Sequence, residues 1–391
     1  MKFNIITFGC KVNSYESEFI KEQLLKNGFI YSDDKDKADI VIVNTCSVTN
    51  VADNKCMKTI RGIKRDNNDC ILMVCGCSSE NNRESYQDLD IDILLGTNDK
   101  KNAVELINEF ITNHKKFVKF NDSKKRDFDD MQVDSFNDLT RAFVKIQDGC
   151  NNYCSYCVIP YVRGNIRSKD YFETVNEVET LVKKGHKEIV FTGINTGSYG
   201  YETGGKFNLV TLIQRVSEID GLDRIRLSSI DITTLSDEFV DELKNNKKLC
   251  GHLHISLQSG SDKILKLMNR HYDKAKYLER VNVLRKARPD LNLTTDVIVG
   301  FPGETEEDFL ECIDFCREVA FSKIHVFPYS IRKGTKAATM PNQVPGNIKK
   351  DRARRLIEID KDLQLQYNSK FIGKELSVLI EENKDRSEER R

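Results

Sequence analysis

Three cysteines follow one another closely in the middle of the chain, in the segment Cys150-Asn-Asn-Tyr-Cys154-Ser-Tyr-Cys157. The irons of an iron–sulfur cluster take thiolate ligands, and a [4Fe–4S] cube normally takes four of them. Three neighbouring thiols without a fourth leave one iron open to bind a substrate or cofactor. The spacing therefore predicts a catalytic cluster just beyond a strand that begins near Phe143.

Zinc is the alternative metal for this segment, because tetrahedral zinc sites also favour thiolates. In a sequence, zinc sites usually come as two separated Cys-x-x-Cys pairs, or as pairs completed by histidine. Neither arrangement is present around Cys150. The segment therefore favours an iron–sulfur cluster over zinc, and over cysteines that bind no metal.

Cys-x-x-x-Cys-x-x-Cys resembles the signature of the radical S-adenosylmethionine superfamily, and Gln147-Asp-Gly-Cys-Asn-Asn-Tyr-Cys154 is similar to its methylthiotransferase branch. The resemblance implies that Cys150, Cys154 and Cys157 hold a [4Fe–4S] cluster whose open iron binds S-adenosyl-L-methionine. It also implies an enzyme that adds CH3–S to tRNA or to a ribosomal protein.

The first third of the chain alternates apolar strands with helical segments, which predicts a small parallel-sheet α/β domain over residues 1–112. Ligands of an open parallel sheet sit beyond the carboxyl ends of its strands. Cys10, Cys46 and Cys77 each follow a predicted strand, so these three thiols are expected to converge at one edge. The alternative is that they are small apolar core residues. Cys75 lies two positions before Cys77, and the pattern alone does not choose between them.

The flanking residues of these cysteines also resemble the methylthiotransferases. Gly9-Cys10-Lys-Val-Asn13, Asn44-Thr-Cys46 and Gly76-Cys77 are similar to the motifs that carry the family's auxiliary cluster. The resemblance thus implies a second [4Fe–4S] cluster, and it favours Cys77 over Cys75 as the third ligand. This cluster would carry the sulfur that is transferred.

Two further domains or segments follow a charged linker at 113–139. Residues 140–345 alternate again, with strands expected near 143–147, 188–192, 224–229, 253–257, 293–299 and 323–327. Six β/α repeats suit a partial (β/α)6 barrel with its site at the carboxyl ends of the strands, and the superfamily's fold is this barrel. Residues 346–391 are predicted to contain a long amphipathic helix that follows the basic run Lys349–Arg355 and ends at about Tyr367, then the beginning of a strand at Phe371 to Ile380 and a charged tail.

Polar residues and glycines follow three strands of this second unit, and their motifs resemble those of the family. They are expected to contact the cofactor, because glycine lets the backbone approach a bound adenosyl group closely. The alternative is a tight strand-to-helix turn, which needs glycine for its own geometry. The predicted contacts are Thr192, Gly193, Gln258, Gly300 and Gly303.

Aromatic and basic side chains near the cysteine triplet have two interpretations each. Tyr153, Tyr156 and Tyr161 are possible stacking partners for a splayed base, with ordinary packing as the alternative. Arg163 and Arg167 are suited to bidentate contact with a carboxylate or phosphate, with a solvated loop as the alternative.

Composition limits the classes of function. Lys+Arg and Asp+Glu both number 61 in 391 residues, so any positive surface for RNA must be local. Twelve cysteines, no apolar run of membrane-spanning length and no signal peptide predict a cytoplasmic, membrane-free protein without a disulfide framework.

The motif Gly9-Cys-Lys-Val-Asn13 looks like the branch that acts on N6-threonylcarbamoyladenosine, since the isopentenyladenosine branch usually has Gln-Met-Asn after this cysteine. The implied reaction adds a methylthio group to C2 of that base in a tRNA anticodon loop, with a cytoplasmic electron donor. Radical chemistry is needed because the C2–H bond is strong and not acidic. Family members usually continue into an RNA-binding β-barrel, of which this chain is expected to contain only the first strand.

Two other functions fit parts of the pattern. A ribosomal-protein (aspartate) methylthiotransferase would keep both clusters and change the acceptor. A non-catalytic, zinc-stabilised RNA-binding protein would bind metal without labile sulfide.

Overall fold

The computed structural model describes residues 1–47, 49–120, 127–136 and 140–380. The strands are β1 (Lys2–Thr7), β2 (Ile30–Tyr31), β3 (Ile40–Thr45), β4 (Ile71–Gly76), β5 (Ile93–Leu95), β6 (Phe117–Lys119), β7 (Arg141–Lys145), β8 (Gln147–Asp148), β9 (Arg167–Ser168), β10 (Glu188–Thr192), β11 (Arg224–Leu227), β12 (Ser229–Ile230), β13 (His252–Ile255), β14 (Asn292–Val299) and β15 (Lys323–Pro328).

The α-helices are α1 (Lys11–Lys26), α2 (Asn50–Asp66), α3 (Cys77–Asn81), α4 (Arg83–Gln87), α5 (Ala103–Asn113), α6 (Ile159–Val162), α7 (Tyr171–Lys183), α8 (Leu209–Ser217), α9 (Asp237–Asn245), α10 (Asp262–Leu267), α11 (Lys274–Ala287), α12 (Glu306–Val319) and α13 (Gly346–Ser369). Within the described ranges, no helix has both the length and the apolar character needed to cross a membrane.

The first six strands form one parallel sheet in the order β2-β1-β3-β4-β5-β6. Strands β3 and β4 are buried along their whole length and pair from Ile40 opposite Ile71 to Thr45 opposite Gly76. Interior parallel strands have both faces covered, which explains their continuous apolar runs. The predicted parallel sheet is confirmed, and β6 extends it beyond residue 112 by pairing with β5.

The first helix begins at Lys11. Cys10 takes the N-cap position with an extended backbone, and the N–H of Ser14 donates to the Cys10 carbonyl inside the helix. The Asn13 side chain turns inward and donates to the carbonyls of Phe8 and Thr45 at 2.7 and 2.9 Å. These bonds tie the first turn to the sheet and place Cys10 at its edge.

Residues 127–136 pack between the two halves of the chain. Met131, Val133 and Phe136 are buried there, and the N–H of Val133 donates to Glu177 at 2.9 Å. This described part of the predicted linker is therefore anchored by apolar contacts, whereas 121–126 and 137–139 lie outside the described residues.

The second half contains two parallel sheets, in the orders β11-β10-β7 and β12-β13-β14-β15. Only Ser228 separates β11 from β12, and Ile225 forms a parallel bridge with Leu249 just before β13. The parallel strands therefore follow chain order from β7 to β15, with helices between them. The predicted α/β architecture with parallel sheets is confirmed.

The C-terminal part begins with α13, which packs along β15. Asp360 of this helix accepts a hydrogen bond from the N–H of Ile324 at 2.6 Å. The strand predicted at Phe371 to Ile380 is wrong, because these residues form a turn and then extended chain without a partner strand in the described structure. The apolar side chains of Ile372 and Val378 are exposed there. The predicted charged tail after residue 380 lies outside the described residues.

Candidate metal centres

Cys10, Cys46 and Cys77 lie at the carboxyl ends of β1, β3 and β4, which are neighbours in the N-terminal sheet. Cys10 caps α1, Cys46 follows β3 directly, and Cys77 is the first residue of α3. The approach is close, since a Cβ added to Gly9 would lie 2.5 Å from the Cys46 sulfur. The structure thus brings together the three thiols that the sequence predicts at this edge. We call them the N-terminal cysteine set.

Cys75 and Cys77 have different surroundings. Cys75 is fully buried inside β4 and belongs to the main hydrophobic core, where burial raises the pKa of its thiol to about 11. Cys77 follows Gly76, whose φ of 115° turns the chain out of the strand. The Cys77 sulfur accepts a hydrogen bond from Nε of Arg163 at 3.2 Å. The geometry therefore favours Cys77 as the thiol that faces the site.

Cys150, Cys154 and Cys157 lie in the loop after β8, and we call them the central cysteine set. The loop is held by the N–H of Cys157, which donates to the Cys154 carbonyl at 3.0 Å. Nη1 of Arg270 donates to the Cys154 sulfur at 3.2 Å. Burial raises the pKa of Cys150 to about 11 and that of Cys157 to about 12, and the neighbouring Cys154 thiol adds to both shifts. The three thiols are thus close enough to influence one another.

The donor set suits an iron–sulfur cluster, although it is not held in ligand geometry. No three His, Cys, Asp or Glu side chains of the described residues are placed to hold a metal ion together. Thiols must lose their protons when metal binds. Because the thiols are not yet in ligand geometry, cluster assembly would also turn these side chains toward the irons. Arg163 and Arg270 supply positive charge beside one thiol of each set, which fits an anionic thiolate cluster.

The two cysteine sets are adjacent. Val158 and Val162 pack with Cys77 in one small buried cluster, so the residue after Cys157 contacts the N-terminal set. A cavity of about 230 Å³ is lined both by Ser47, next to Cys46, and by Cys157. Cys157 therefore borders this cavity directly, and the N-terminal set lies one residue from it, at Ser47.

Tyr329 and Arg332 are among the residues that line this cavity. The hydroxyl of Tyr329 and Nε of Arg332 are buried without a hydrogen-bond partner among the described residues. Buried polar groups are normally hydrogen-bonded, so a ligand with acceptor atoms fits this space.

Gln258 is the predicted cofactor contact that lies in the cavity. It has a φ of 68°, which is uncommon for a residue with a side chain, and its N–H donates to the Asp296 carbonyl at 2.8 Å. Cys157 and Asp296 line the same space.

The other predicted cofactor residues make contacts within the protein. Thr192 shares a 2.9 Å hydrogen bond with Ser228, and a Cβ on Gly193 would lie 2.9 Å from Oε1 of Gln147. A Cβ on Gly300 would lie 2.4 Å from Lys349 of α13, and the N–H of Gly303 donates to the Asn342 carbonyl at 3.0 Å. Packing therefore accounts for the small residues at these positions.

Arg163 and Arg167 are both buried, so the solvated alternative is wrong. The carboxylate that they meet belongs to the protein: Asp148 accepts from Nη1 of Arg163 at 3.0 Å and from Nη2 of Arg167 at 3.2 Å. Sequence reasoning missed Asp148 and also Glu16, which accepts from Nη1 of Arg163 at 3.0 Å, because single charged residues in a strand or helix carry no signal of burial.

Two of the three tyrosines are available at the surface. Tyr153 and Tyr161 are about half exposed and meet edge to face, with ring centroids 5.9 Å apart. Tyr153 has a φ of 46° and lies between Cys150 and Cys154. Tyr156 instead packs against Phe301 and lines the cavity.

Family models match both halves of the chain. The Radical SAM superfamily matches residues 144–316, and the family described as Uncharacterized protein family UPF0004 matches residues 2–96. The first match contains the central cysteine set and the second contains the N-terminal set. The fold and these sites define a radical S-adenosylmethionine protein.

Comparison with curated relatives identifies the family within the radical S-adenosylmethionine proteins. The chain is 41% identical over 98% of its length to the threonylcarbamoyladenosine tRNA methylthiotransferase MtaB of Bacillus subtilis (strain 168), covering 85% of that protein. The protein of the same name from Thermotoga maritima is 41% identical over 96% of the chain and is covered to 86%. A tRNA-2-methylthio-N(6)-dimethylallyladenosine synthase of Clostridium botulinum (strain Loch Maree / Type A3) is 37% identical over 97%, with 86% of it covered. The chain belongs to the tRNA methylthiotransferase family.

Solved structures share the fold at low identity. The radical S-adenosylmethionine methyltransferase TsrM from Kitasatospora setae, with cobalamin and a [4Fe-4S] cluster bound, aligns with a TM-score of 0.61 at 15% identity. The alignment covers 86% of this chain and 77% of TsrM. At this identity the likeness concerns the fold alone.

Proposed function

We propose that this protein is a tRNA methylthiotransferase that adds a methylthio group to C2 of N6-threonylcarbamoyladenosine beside the anticodon. One observation carries the proposal: two sets of three cysteines lie next to each other, with Cys77 packed against Val158 and Val162 beside the central set, in a chain 41% identical to a threonylcarbamoyladenosine tRNA methylthiotransferase over 98% of its length. The motif Gly9-Cys-Lys-Val-Asn13 supports the threonylcarbamoyl branch.

The cysteines would hold two [4Fe–4S] clusters, one on the central set and one on the N-terminal set. Each set has three thiols, which leaves one iron of each cluster without a protein ligand. When bound, the clusters and S-adenosyl-L-methionine supply the one-electron chemistry and the sulfur that substitution at an adenine C2–H bond needs. The protein's own part is to hold the two sets next to each other and to place Cys157 at the cavity.

The chain order of the parallel strands β7 to β15 supports a partial (β/α)6 barrel over residues 140–345, with its site at the carboxyl ends of the strands. Gln258, Tyr329 and Arg332 line the cavity next to Cys157, and we place S-adenosyl-L-methionine there. The remaining predicted cofactor residues are proposed to shape the ends of strands β10 and β14 near this cavity. They are Thr192, Gly193, Gly300 and Gly303.

Recognition of the anticodon loop is proposed at the exposed tyrosine pair. Single-stranded RNA bases stack on aromatic side chains, and Tyr153 and Tyr161 offer two such faces beside the central set. A cytoplasmic electron donor and a cytoplasmic location stay predictions. The domain division at 1–112, 113–139, 140–345 and 346–391 is part of the same proposal.

The experiment is nucleoside analysis of a defined reaction. Anaerobically reconstituted protein is incubated with S-adenosyl-L-methionine, a reductant and tRNA that carries N6-threonylcarbamoyladenosine, and the digested tRNA is analysed by mass spectrometry. We expect the 2-methylthio derivative of that nucleoside. The matched control is the variant with Cys150, Cys154 and Cys157 changed to Ala, which should give none.

The alternatives predict different outcomes. Methylthiolation of isopentenyladenosine tRNA, or of ribosomal protein but not tRNA, would contradict the proposed substrate. Zinc in place of iron and labile sulfide, with no cleavage of S-adenosyl-L-methionine, would instead indicate a zinc-stabilised RNA-binding protein.

A further inference from the structure

A network of buried charged side chains lies between the two cysteine sets. It joins α1, the turn before α5, the strands β7, β8 and β9, and the residue that follows α6. Each member is less than 9% exposed, and the members are Glu16, Lys100, Lys145, Asp148, Arg163 and Arg167. Four of them are cations and two are carboxylates.

Both carboxylates are fully engaged. Glu16 pairs with Lys100, with Lys145 at 2.9 Å and with Arg163 at 3.0 Å. Asp148 pairs with Lys145 at 2.8 Å, with Arg163 at 3.0 Å and with Arg167 at 3.2 Å. Burial alone would raise the pKa of each carboxyl, but Arg163 and the other cations outweigh it and hold both pKa values low.

The network therefore carries excess positive charge. Two ionised carboxylates offset two of its four cations. The nearby Asp129 is also buried, and burial raises its pKa, so this carboxyl adds at most one negative charge. A buried charge without a counter-charge is strongly unfavourable. An anion next to the network would therefore stabilise its excess positive charge.

Arg163 is the member that reaches a thiol. It is fully buried, its Nε donates to the Cys77 sulfur at 3.2 Å, and its Nη2 donates to Oδ1 of Asn13 at 2.9 Å. Its Nη1 holds Asp148, two residues before Cys150. One guanidinium therefore contacts the N-terminal set, the first turn of α1 and the base of the central loop.

We propose that Arg163 is a positioning residue for methylthio transfer. It fixes the Cys77 sulfur, supplies positive charge to an anionic cluster on Cys10, Cys46 and Cys77, and through Asp148 holds that set at a constant distance from the central set. The proposal rests on the proposed function only for the presence of a cluster on these three cysteines.

The Arg163 guanidinium should also affect the reduction potential of the N-terminal cluster. Reduction adds negative charge to a cluster, so a cation and a hydrogen bond to a ligand sulfur raise its reduction potential. Loss of the Arg163 guanidinium should therefore lower the potential of the N-terminal cluster.

The experiment is an EPR-monitored redox titration of reconstituted full-length protein. The background has Cys150, Cys154 and Cys157 changed to Ala, so that the signal comes from the N-terminal cluster. Arg163→Met is compared with Arg167→Met, which removes the same unit of charge from the same network. Arg167 contacts Asp148 and backbone carbonyls instead of a thiol, which makes it the matched control.

We expect Arg163→Met to lower the potential clearly more than Arg167→Met, and Arg163→Lys to restore part of the difference. Equal shifts in the two Met variants, or no shift in either, would overturn the proposal. The titration needs no tRNA, so its failure is distinguishable from failure of the proposed reaction.

If the N-terminal cluster does not assemble in Arg163→Met, iron per chain is measured instead, in protein whose Cys150, Cys154 and Cys157 are intact. Glu16→Gln/Arg163→Met, which also removes one carboxylate, serves as a charge-balanced second variant. Loss of about four of about eight irons, with circular dichroism and the remaining cluster unchanged, supports the positioning role, since two [4Fe–4S] cubes hold about eight irons. Loss of both clusters or of the fold in both variants would mean a purely structural role and would overturn the proposal.

Discussion

Arg270 donates a hydrogen bond to the Cys154 sulfur at 3.2 Å, and its other terminal nitrogen pairs with Asp231 at 2.7 Å. Arg163 makes the corresponding contact to Cys77 at the same 3.2 Å. Each cysteine set therefore has one buried arginine at one of its sulfurs. The two sites share this feature although their cysteines come from different sheets.

Breaking the Arg270 pair should destabilise the protein. Both side chains are less than 10% exposed, so Arg270→Met would leave Asp231 as a buried charge without its cation. Removing one partner of a buried pair costs about 3–5 kcal/mol. We expect Arg270→Met to lower the urea midpoint of the metal-free protein, and Asp231→Asn/Arg270→Met to recover part of the loss. A double variant no more stable than the single one would contradict this account.

Gly9 sets the space for Cys46. A Cβ at Gly9 would lie 2.5 Å from the Cys46 sulfur, so Gly9→Ala should displace that thiol and reduce iron from about eight to about four per chain. Gly28→Ala is the matched control, because Gly28 also has a positive φ of 82° but has nothing within 4 Å of the added Cβ. Equal iron loss in both variants would attribute the effect to backbone strain.

Much of the fold followed from local patterns. Apolar runs of strand length and helical periodicity predict the parallel sheets, and the placement of Cys10 and Cys46 directly after strands predicts their shared edge. These signals depend on residues a few positions apart. The run from Phe371 to Ile380 gave the same local signal, but a strand needs a neighbour to pair with, and none of the described strands pairs with it.

The charge network could not be predicted in the same way. Glu16 and Arg163 are 147 positions apart, and each alone resembles the solvated charge found on most helix surfaces or loops. Only the packing of α1 against β7 and the central loop makes them buried partners. The choice between Cys75 and Cys77 likewise depends on the positive φ of Gly76, which a glycine permits but does not require.

Cys75 and Cys77 should respond differently to substitution. Cys77→Ala should halve the iron content, because this thiol faces the N-terminal site. Cys75→Ala should keep the iron and cost about 1 kcal/mol of stability, because it removes a small apolar group from the core. Iron and acid-labile sulfide per chain after reconstitution, with a urea titration, distinguish the two. Halved iron in Cys75→Ala with full iron in Cys77→Ala would reverse the assignment.

His252 should make stability sensitive to acid. Its Nε2 lies 3.1 Å from the Thr294 hydroxyl, and its Nδ1 is buried without a partner among the described residues. Burial lowers the pKa of His252 to about 3, and the positive charge of Arg226 adds to the shift. The unfolded chain binds this proton near its ordinary pKa of about 6.5. The neutral ring therefore contributes stability that is fully present above about pH 6.5 and is lost as the pH falls toward 3.

The slope of this loss is up to about 1.4 kcal/mol per pH unit for one proton. Between pH 7 and pH 5, wild-type protein should lose about 2 kcal/mol more unfolding free energy than His252→Gln, which has no proton to bind at this position. The exposed His271 provides the control, and His271→Gln should keep the wild-type slope. Urea unfolding of the metal-free protein at the two pH values measures the difference. If His252→Gln kept the wild-type slope, the acid sensitivity would come from carboxylates instead of this ring.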